Sequence, residues 1–390
     1  MPRTRVLFLI PSLAACGAEA QLVTLVNGLD PDRFAKTLVT FEPESDLLPR
    51  VRQPEVTVIR LERRRWLDRG LARSIAEVID QKAVDVVHTT LQIALLHGWL
   101  ASRRSRRRPR LVNTIHTTRN RDLKGEVSQR LLWGPLQRAC SRVVFVSERQ
   151  AEHWLSRYPG LKERSRVIRN GVDPQHFAPE SWRQAGRSLR SRLGISREAL
   201  VVGCLAAFRP EKGHQLLLKA FAGLPEDAVL LLAGSGQCLP EVQAAASRLG
   251  LGARAHFLGR IEEVRPVLAA CDLTVLASTA VETFSMAMLE SLSMAVPVVA
   301  TDIGGAAEAV LPGRTGALVP AGDAAALRQA LLALGTDRQR VRHMGAAGRQ
   351  LVLERFTHAR MIQAFATVLK RHQDGSPWLP LAGHTLPPAR

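Results

Sequence analysis

Glu282 and Glu290 stand on either side of a helix start in the run Val281-Glu282-Thr283-Phe284-Ser285-Met286-Ala287-Met288-Leu289-Glu290. Ser285 has the side chain of an N-cap, and Met288, Leu289 and Leu292 fall on one face at helical spacing. Glu290 then lies about one and a half turns inside the helix. The first backbone N–H groups, from Phe284 to Met286, are expected to open onto a ligand, because a helix N-terminus is a ready anion site. An anion between two carboxylates makes sense when it is a diphosphate flanked by polyols. The backbone holds the phosphates and each carboxylate accepts from hydroxyls. Two solvated glutamates on a helix would show the same spacing. The buried strand that precedes them, Cys271–Ser278, favours a site.

Three other segments carry chemistry. In Phe208-Arg209-Pro210-Glu211-Lys212-Gly213-His214 a strand runs into a turn, so Arg209 and Lys212 sit at its carboxyl edge. Cations there neutralise a leaving diphosphate; an ordinary polar turn is the alternative. In Ala14-Ala15-Cys16-Gly17-Ala18-Glu19 a strand meets a helix through small residues, so backbone at Gly17 can approach phosphate or sugar closely. This loop and Gly234-Ser235-Gly236 both lack the G-x-G-x-x-G spacing, so a dinucleotide is not implied. His116, in Asn113-Thr114-Ile115-His116-Thr117-Thr118, falls where a strand opens, as a cleft residue or as a satisfied histidine. Asp30-Pro31-Asp32 resembles the aspartate pair of metal-dependent sugar transferases, but it lies in the turn after the first helix, far from the other segments. No metal and no other cofactor is expected.

These segments need a scaffold that brings strand ends together. At 390 residues the chain is long for one core, and 46% hydrophobic residues suffice for two. Short apolar runs alternate with helical patterns throughout. The expected strands of the first half are Val6–Ile10, Lys36–Phe41, Val56–Arg60, Val84–Thr89, Arg110–His116, Val143–Ser147 and Arg166–Arg169. Those of the second are Val201–Phe208, Ala228–Ala233, Ala255–Leu258, Leu273–Ala277, Val298–Thr301 and Gly316–Val319. Helical patterns fall between, as at Glu19–Leu29, Ala72–Gln81, Leu91–Ser102, Arg149–Ser156, Gln215–Ala222 and Pro240–Leu249. Such alternation implies an α/β fold with two doubly wound parallel sheets. The break falls at the polar, partly helical stretch Asp173–Ser196, after the Asn170-Gly171 turn. The expected division is an acceptor-side domain over 1–180 and a donor domain over 181–365, with a last helix at about 357–371 that packs back on the first domain, and a loose tail over 372–390.

The five cysteines are scattered and form neither a disulfide framework nor a zinc spacing, which fits a reducing cytoplasm. No apolar run is long enough to cross a bilayer. The basic start, Val6–Ala15 and the box Leu13-Ala14-Ala15-Cys16 would also suit a lipoprotein leader. A buried first strand is the preferred reading, since Val6-Leu7-Phe8-Leu9-Ile10 is typical of a parallel sheet.

The net charge is +19, with 36 Lys+Arg against 19 Asp+Glu over residues 1–197 and 18 against 16 over the rest. The basic surface is therefore expected on the first half, around Arg63, Arg64, Arg65, Arg69 and the Arg103–Arg110 cluster. An anionic membrane face is preferred to nucleic acid, because the chain has one tyrosine and no stacking platform. An Arg-rich composition without function would look alike. Leu95, Leu96, Trp99 and Leu100 either add apolar contact to such a face or, as preferred, belong to the core.

Taken together, these motifs resemble glycosyltransferase family 4, the retaining, nucleotide-sugar-dependent enzymes of GT-B fold. Ala300-Thr301-Asp302-Ile303-Gly304-Gly305, Leu311-Pro312-Gly313-Arg314-Thr315-Gly316 and Arg169-Asn170-Gly171-Val172-Asp173 look like the family's later motifs. The likeness spans about residues 5 to 365 and is strongest from Val201 to Gly322. It implies that Glu282 contacts the donor sugar, Glu290 the ribose, Lys212 the diphosphate, His116 the sugar and Gly17 the phosphates. The backbone at Gly259 and Arg260 matches the base-binding stretch. The sequence departs from the family at Cys16 and Thr283, where glycines are usual, and at Ala207, where a phosphate arginine is usual and for which Arg209 is the substitute. The implied reaction moves a sugar from a UDP- or GDP-sugar to a hydroxyl of a glycan or lipid-linked saccharide in bacterial envelope synthesis, at the inner face of the cytoplasmic membrane. A GT-B epimerase and a non-catalytic basic binding protein are the alternatives.

Overall fold

A computed structural model describes residues 2–117 and 123–370. Its strands are β1 Thr4–Leu9, β2 Phe34–Thr40, β3 Val56–Arg60, β4 Val86–Thr90, β5 Arg110–Ile115, β6 Arg142–Phe145, β7 Ser165–Val167, β8 Val201–Leu205, β9 Val229–Ala233, β10 Ala255–Gly259, β11 Leu273–Leu276, β12 Val298–Thr301 and β13 Gly316–Val319. They form two sheets, in the orders β3-β2-β1-β4-β5-β6-β7 and β10-β9-β8-β11-β12-β13. Every pairing within them is parallel. Helices cover both faces of each sheet, so the central strands read as continuous apolar runs; Leu7, Phe8 and Leu9 are fully buried. The first strand is thus part of the fold, as preferred. The chain is α/β with two Rossmann-like sheets.

In each sheet the strand order reverses once, between β1 and β4 and between β8 and β11. Such a switch point opens a crevice at the strands' carboxyl ends. The loop with Gly17 follows β1 and His116 follows β5. Arg209 and Lys212 follow β8, Arg260 follows β10, and Glu282 follows β11. Topology alone therefore gathers the candidate residues.

The last helix, His358–Leu369, sends Met361, Phe365 and Leu369 into the core of the first sheet, beside Phe8, Leu22 and Leu25. Val172 forms a bridge to Thr357 where the chain crosses back. No helix among the described residues is long and apolar enough to cross a membrane.

The structure corrects three expectations. β8 ends at Leu205, not Phe208, because Ala206 and Phe208 turn to bond the carbonyls of Ala233 and Ser235. The stretch read as partly helical holds a helix, Pro179–Arg192. Its apolar signal is weak because glycine, not a large side chain, makes the contact: any Cβ on Gly186 would collide with the Ala269 backbone of the helix Arg265–Ala270. That helix also relocates charge. Arg183, Arg187, Arg190, Arg192 and Arg197 lie with the second sheet, so the basic surface is not confined to the first half. As preferred, Leu95, Leu96, Trp99 and Leu100 belong to the core: the first two are buried and the other two, partly buried, pack against it.

Candidate active site

Lys212 ends a single 3-10 turn, Pro210–Lys212, that leaves β8. Gly213 follows with φ 66°, and a Cβ there would collide with the Ala277 carbonyl. Only glycine lets this turn press so closely on the end of β11. The Thr279 N–H adds a bond to the Glu211 carbonyl at 2.9 Å. The β8 and β11 loops are thereby locked together, and Lys212 Nζ donates to Glu282 Oε2 at 2.7 Å. The Ser278 hydroxyl donates to the same oxygen at 3.0 Å. The floor beneath is the Ile303-Gly304-Gly305 loop. Gly305 N–H donates to the Thr283 carbonyl at 2.8 Å, and any Cβ on Gly304 would strike the Glu282 carbonyl.

The helix Met286–Ser293 is capped by Ser285, whose hydroxyl accepts from Met288 N–H at 3.4 Å. The N–H groups without an intrahelical partner include those of Ser285 and Met286, and the Phe284 N–H lies just ahead of the cap. Phe284 also buries its ring against Phe356, and its carbonyl accepts from Asn170 at 2.9 Å. The Met286 side chain meets Gln21 Nε2 at 3.0 Å, and a Cβ on Gly17 would stand 3.7 Å from its Cγ. Glu290 keeps part of its surface open, yet the cleft walls crowd it. Desolvation pushes its pKa up to about 7, while Arg50 pulls it the other way.

The first half closes the site from the opposite side. His116 follows β5, and burial lowers its pKa to about 4, so it is neutral at ordinary pH. Behind it His88 is lowered to about 3 by burial and by His116. Arg209 is exposed, and its charge acts on Cys16 and on Glu19, whose pKa is raised by burial. Gly259 has φ 69° and its carbonyl accepts from Gly234 N–H at 2.8 Å. Arg260 pairs with Asp46 at 3.4 Å, and Asp46 also accepts from the Ala15 N–H at 3.0 Å.

Several of these residues escape the sequence reading. The Thr283 hydroxyl donates to the His116 carbonyl at 2.9 Å, from one half of the chain to the other. A glycine, usual in the family at this position, cannot make that bond. Gln21 clasps Gly171 through both its amide atoms, at 3.1 Å each. Glu308 accepts from Glu148 N–H at 2.8 Å and from Arg169 Nε at 2.5 Å across the same seam. Among the described residues, no group of three or more His, Cys, Asp or Glu is placed to hold a metal.

Two facing Rossmann-like sheets, with an open helix start and a lysine–carboxylate pair at the strand ends of the second, are the architecture of the GT-B class of glycosyltransferase. Residues 199–337 match the model described as glycosyl transferases group 1, and residues 15–176 match that of glycosyltransferase family 4. The chain belongs to this family, and it is a glycosyltransferase. It is 28% identical over 306 residues to N-acetyl-alpha-D-glucosaminyl L-malate synthase of Bacillus anthracis, covering 77% of this chain and 78% of that one. It is 33% identical over 223 residues to a GDP-mannose-dependent phosphatidylinositol monomannoside mannosyltransferase of Mycolicibacterium smegmatis, covering 54% of this chain and 57% of that one. The Anabaena protein HepE, solved with UDP and glucose, superposes with a TM-score of 0.83 at 26% identity, over 94% of this chain and 99% of that one.

Proposed function

We propose that the chain is a retaining glycosyltransferase that takes its sugar from a UDP- or GDP-sugar and delivers it to a hydroxyl of a glycan or lipid-linked saccharide of the bacterial envelope. The Lys212–Glu282 pair beside the open helix start carries this reading. A donor diphosphate would draw Lys212 to itself and, with Arg209 and the N–H groups of Ser285 and Met286, share its charge as the sugar departs. Glu282, released from Lys212 but still held by Ser278, would accept from the sugar hydroxyls. Glu290 would accept from the ribose, and the backbone at Gly259 and Arg260 would border the base. His116, neutral, would face the sugar from the acceptor side. HepE's complexes with UDP and UDP-glucose support the donor class. Attack from the leaving-group face, with the departing phosphate taking the acceptor proton, gives retention without a protein nucleophile. The scheme uses no metal.

A thermal-shift panel of UDP-, GDP- and ADP-sugars tests the donor, since the right ligand raises apparent stability by mass action. Lys212→Ala and Glu282→Ala should each reduce turnover by about 100-fold or more, the scale of one lost transition-state contact. Both variants should keep the wild-type thermal midpoint without ligand. Near-normal rates in either would sink the assignment.

The acceptor reading places the first half at the inner face of the cytoplasmic membrane. Trp66, Leu67, Val127 and Leu131 are its exposed large hydrophobics among the described residues. Trp66 sits edge-on to Trp133 at 6.3 Å, which brings its loop against the turn that carries Leu131. Arg64, Arg65, Arg69 and Arg130 are exposed beside them in the chain. Apolar insertion with a basic rim suits an anionic lipid surface.

A further inference from the structure

A second basic feature lies at the opposite edge of the second sheet from the donor cleft. It is a groove bordered by Ile195 and Arg197 ahead of β8, by Asp272 ahead of β11 and by Val296 ahead of β12. These are the amino ends of the strands, whereas the cleft occupies the carboxyl ends. The groove is open to solvent and offers about 1250 Å³, where about 10–15 Å³ holds one water molecule, so it has room for a length of chain rather than a single ion.

Its walls are two helices. Pro179–Arg192 presents Arg183, Arg187 and Arg190 at intervals of four and three residues, a single helical face. Arg338–Arg355 presents Arg338 and Arg342, one turn apart. Asp272 is the one carboxylate that lines the groove, and it is taken by Arg190 at 2.8 Å and by Val201 N–H at 2.8 Å. Arg183, Arg187, Arg192, Arg197 and Arg342 are exposed, and no carboxylate among the described residues pairs with them. Like charges gathered in a concavity repel until a multivalent anion occupies it.

Every cation in the lining is arginine, whose planar fork suits carboxylate, sulfate or phosphate bidentately. The lining has no aromatic ring, which disfavours single-stranded nucleic acid. Its apolar members Ile195, Met294 and Val296 are buried, so it offers nothing to insert into a bilayer. We propose that the groove is an exosite for an acidic polysaccharide chain, held by its carboxylates away from the transfer site. The choice of a glycan over other polyanions rests on the glycosyltransferase assignment.

The test is fluorescence anisotropy of the full chain with labelled polygalacturonate oligomers, and with neutral dextran as comparison. The oligomers should bind, dextran should not, and added salt should weaken binding. The triple variant Arg187→Ala, Arg192→Ala, Arg342→Ala should weaken it about tenfold or more, while the thermal shift by UDP stays as in wild type and certifies the fold. A triple of equal charge on the other half, Arg64→Ala, Arg65→Ala, Arg69→Ala, should bind as wild type does. The proposal is overturned by equal loss in both triples, by no binding, or by single-stranded DNA that binds the groove more tightly than polygalacturonate. A wild type shifted by neither UDP nor GDP would instead count against the donor assignment and leave the groove result standing.

Discussion

Glu290 combines two demands that pull against each other. To accept from ribose hydroxyls it works best ionised, yet desolvation holds its pKa at about 7 in the free protein. The carboxyl therefore takes up a proton on folding between its ordinary value of 4.5 and about 7. In that window the folded state binds more proton than the unfolded one, so the stability of the unliganded chain is fullest below the ordinary value and falls as pH climbs toward 7. Nucleotide binding runs the other way. It favours the ionised form, so UDP affinity should rise with pH, by up to about tenfold per unit below 7, and level off above. Thermal midpoints with and without UDP from pH 5.5 to 8.5 should show both slopes, and Glu290→Gln should flatten both. A wild-type UDP affinity that ignores pH, or an unchanged slope in the Gln variant, would remove Glu290 from the nucleoside contact. Lys212 and Glu282 work differently, because each is the other's partner until a ligand parts them. Ser278 keeps Glu282 anchored at that moment, so Ser278→Ala should cut turnover by about tenfold while leaving donor affinity nearly unchanged.

At the scale of elements, the site is a set of loops held at the ends of parallel strands, and glycines set how closely those loops stack. Gly304 has φ 56° and lies under the Glu282 carbonyl. Gly304→Ala puts a Cβ into that carbonyl and a non-glycine residue in the left-handed region, at a cost of roughly 1–3 kcal/mol. A lower thermal midpoint together with lost turnover is the expected result; unchanged turnover would show that the loop does not support Glu282. This scaffold was legible in the residues. The strands are apolar runs buried on both faces, and all thirteen were found, with ends displaced by up to three residues. The loops at β1, β8 and β11 were legible too, because small residues, cations and carboxylates directly follow such runs. What escaped has no local signature. Thr283 bonds the His116 carbonyl 167 residues away, and Gln21 reaches Gly171 across 150. Neither has a spacing that reveals it, and Thr283 read only as a departure from a glycine. The helix Pro179–Arg192 escaped in part because it docks through Gly186, which adds nothing to an apolar pattern.

For the whole molecule, the net charge of +19 includes two separate basic faces of different character. The groove at the amino ends of the second sheet is concave and lined by arginines, with Asp272 as its one carboxylate. The patch on the first half mixes arginine with exposed apolar side chains, Leu131 at 74% and Trp66 at 55% exposure. A soluble partner bound through charge alone gives no reason for the apolar residues, and burying a side chain of that size is worth about 1.5–3 kcal/mol. Arginine near anionic lipid adds about 1 kcal/mol each. Together they make a reversible peripheral contact rather than a permanent anchor. The double variant Trp66→Asp, Leu131→Asp should therefore weaken binding to vesicles of anionic phospholipid at least as much as Arg64→Ala, Arg65→Ala, Arg69→Ala does. Added salt should shrink the difference between wild type and the arginine triple but leave most of that between wild type and the Asp double variant, because the apolar share is not screened. Flotation of each protein with anionic and with neutral vesicles, at low and at moderate salt, measures this. If wild type does not float with anionic vesicles even at low salt, the membrane contact is lost from the proposal. If it floats and the Asp double variant floats equally, the contact is electrostatic only and the first-half patch is not its site. In both cases the donor site, at the carboxyl ends of the other sheet, is untouched, and the UDP thermal shift should confirm it in every variant.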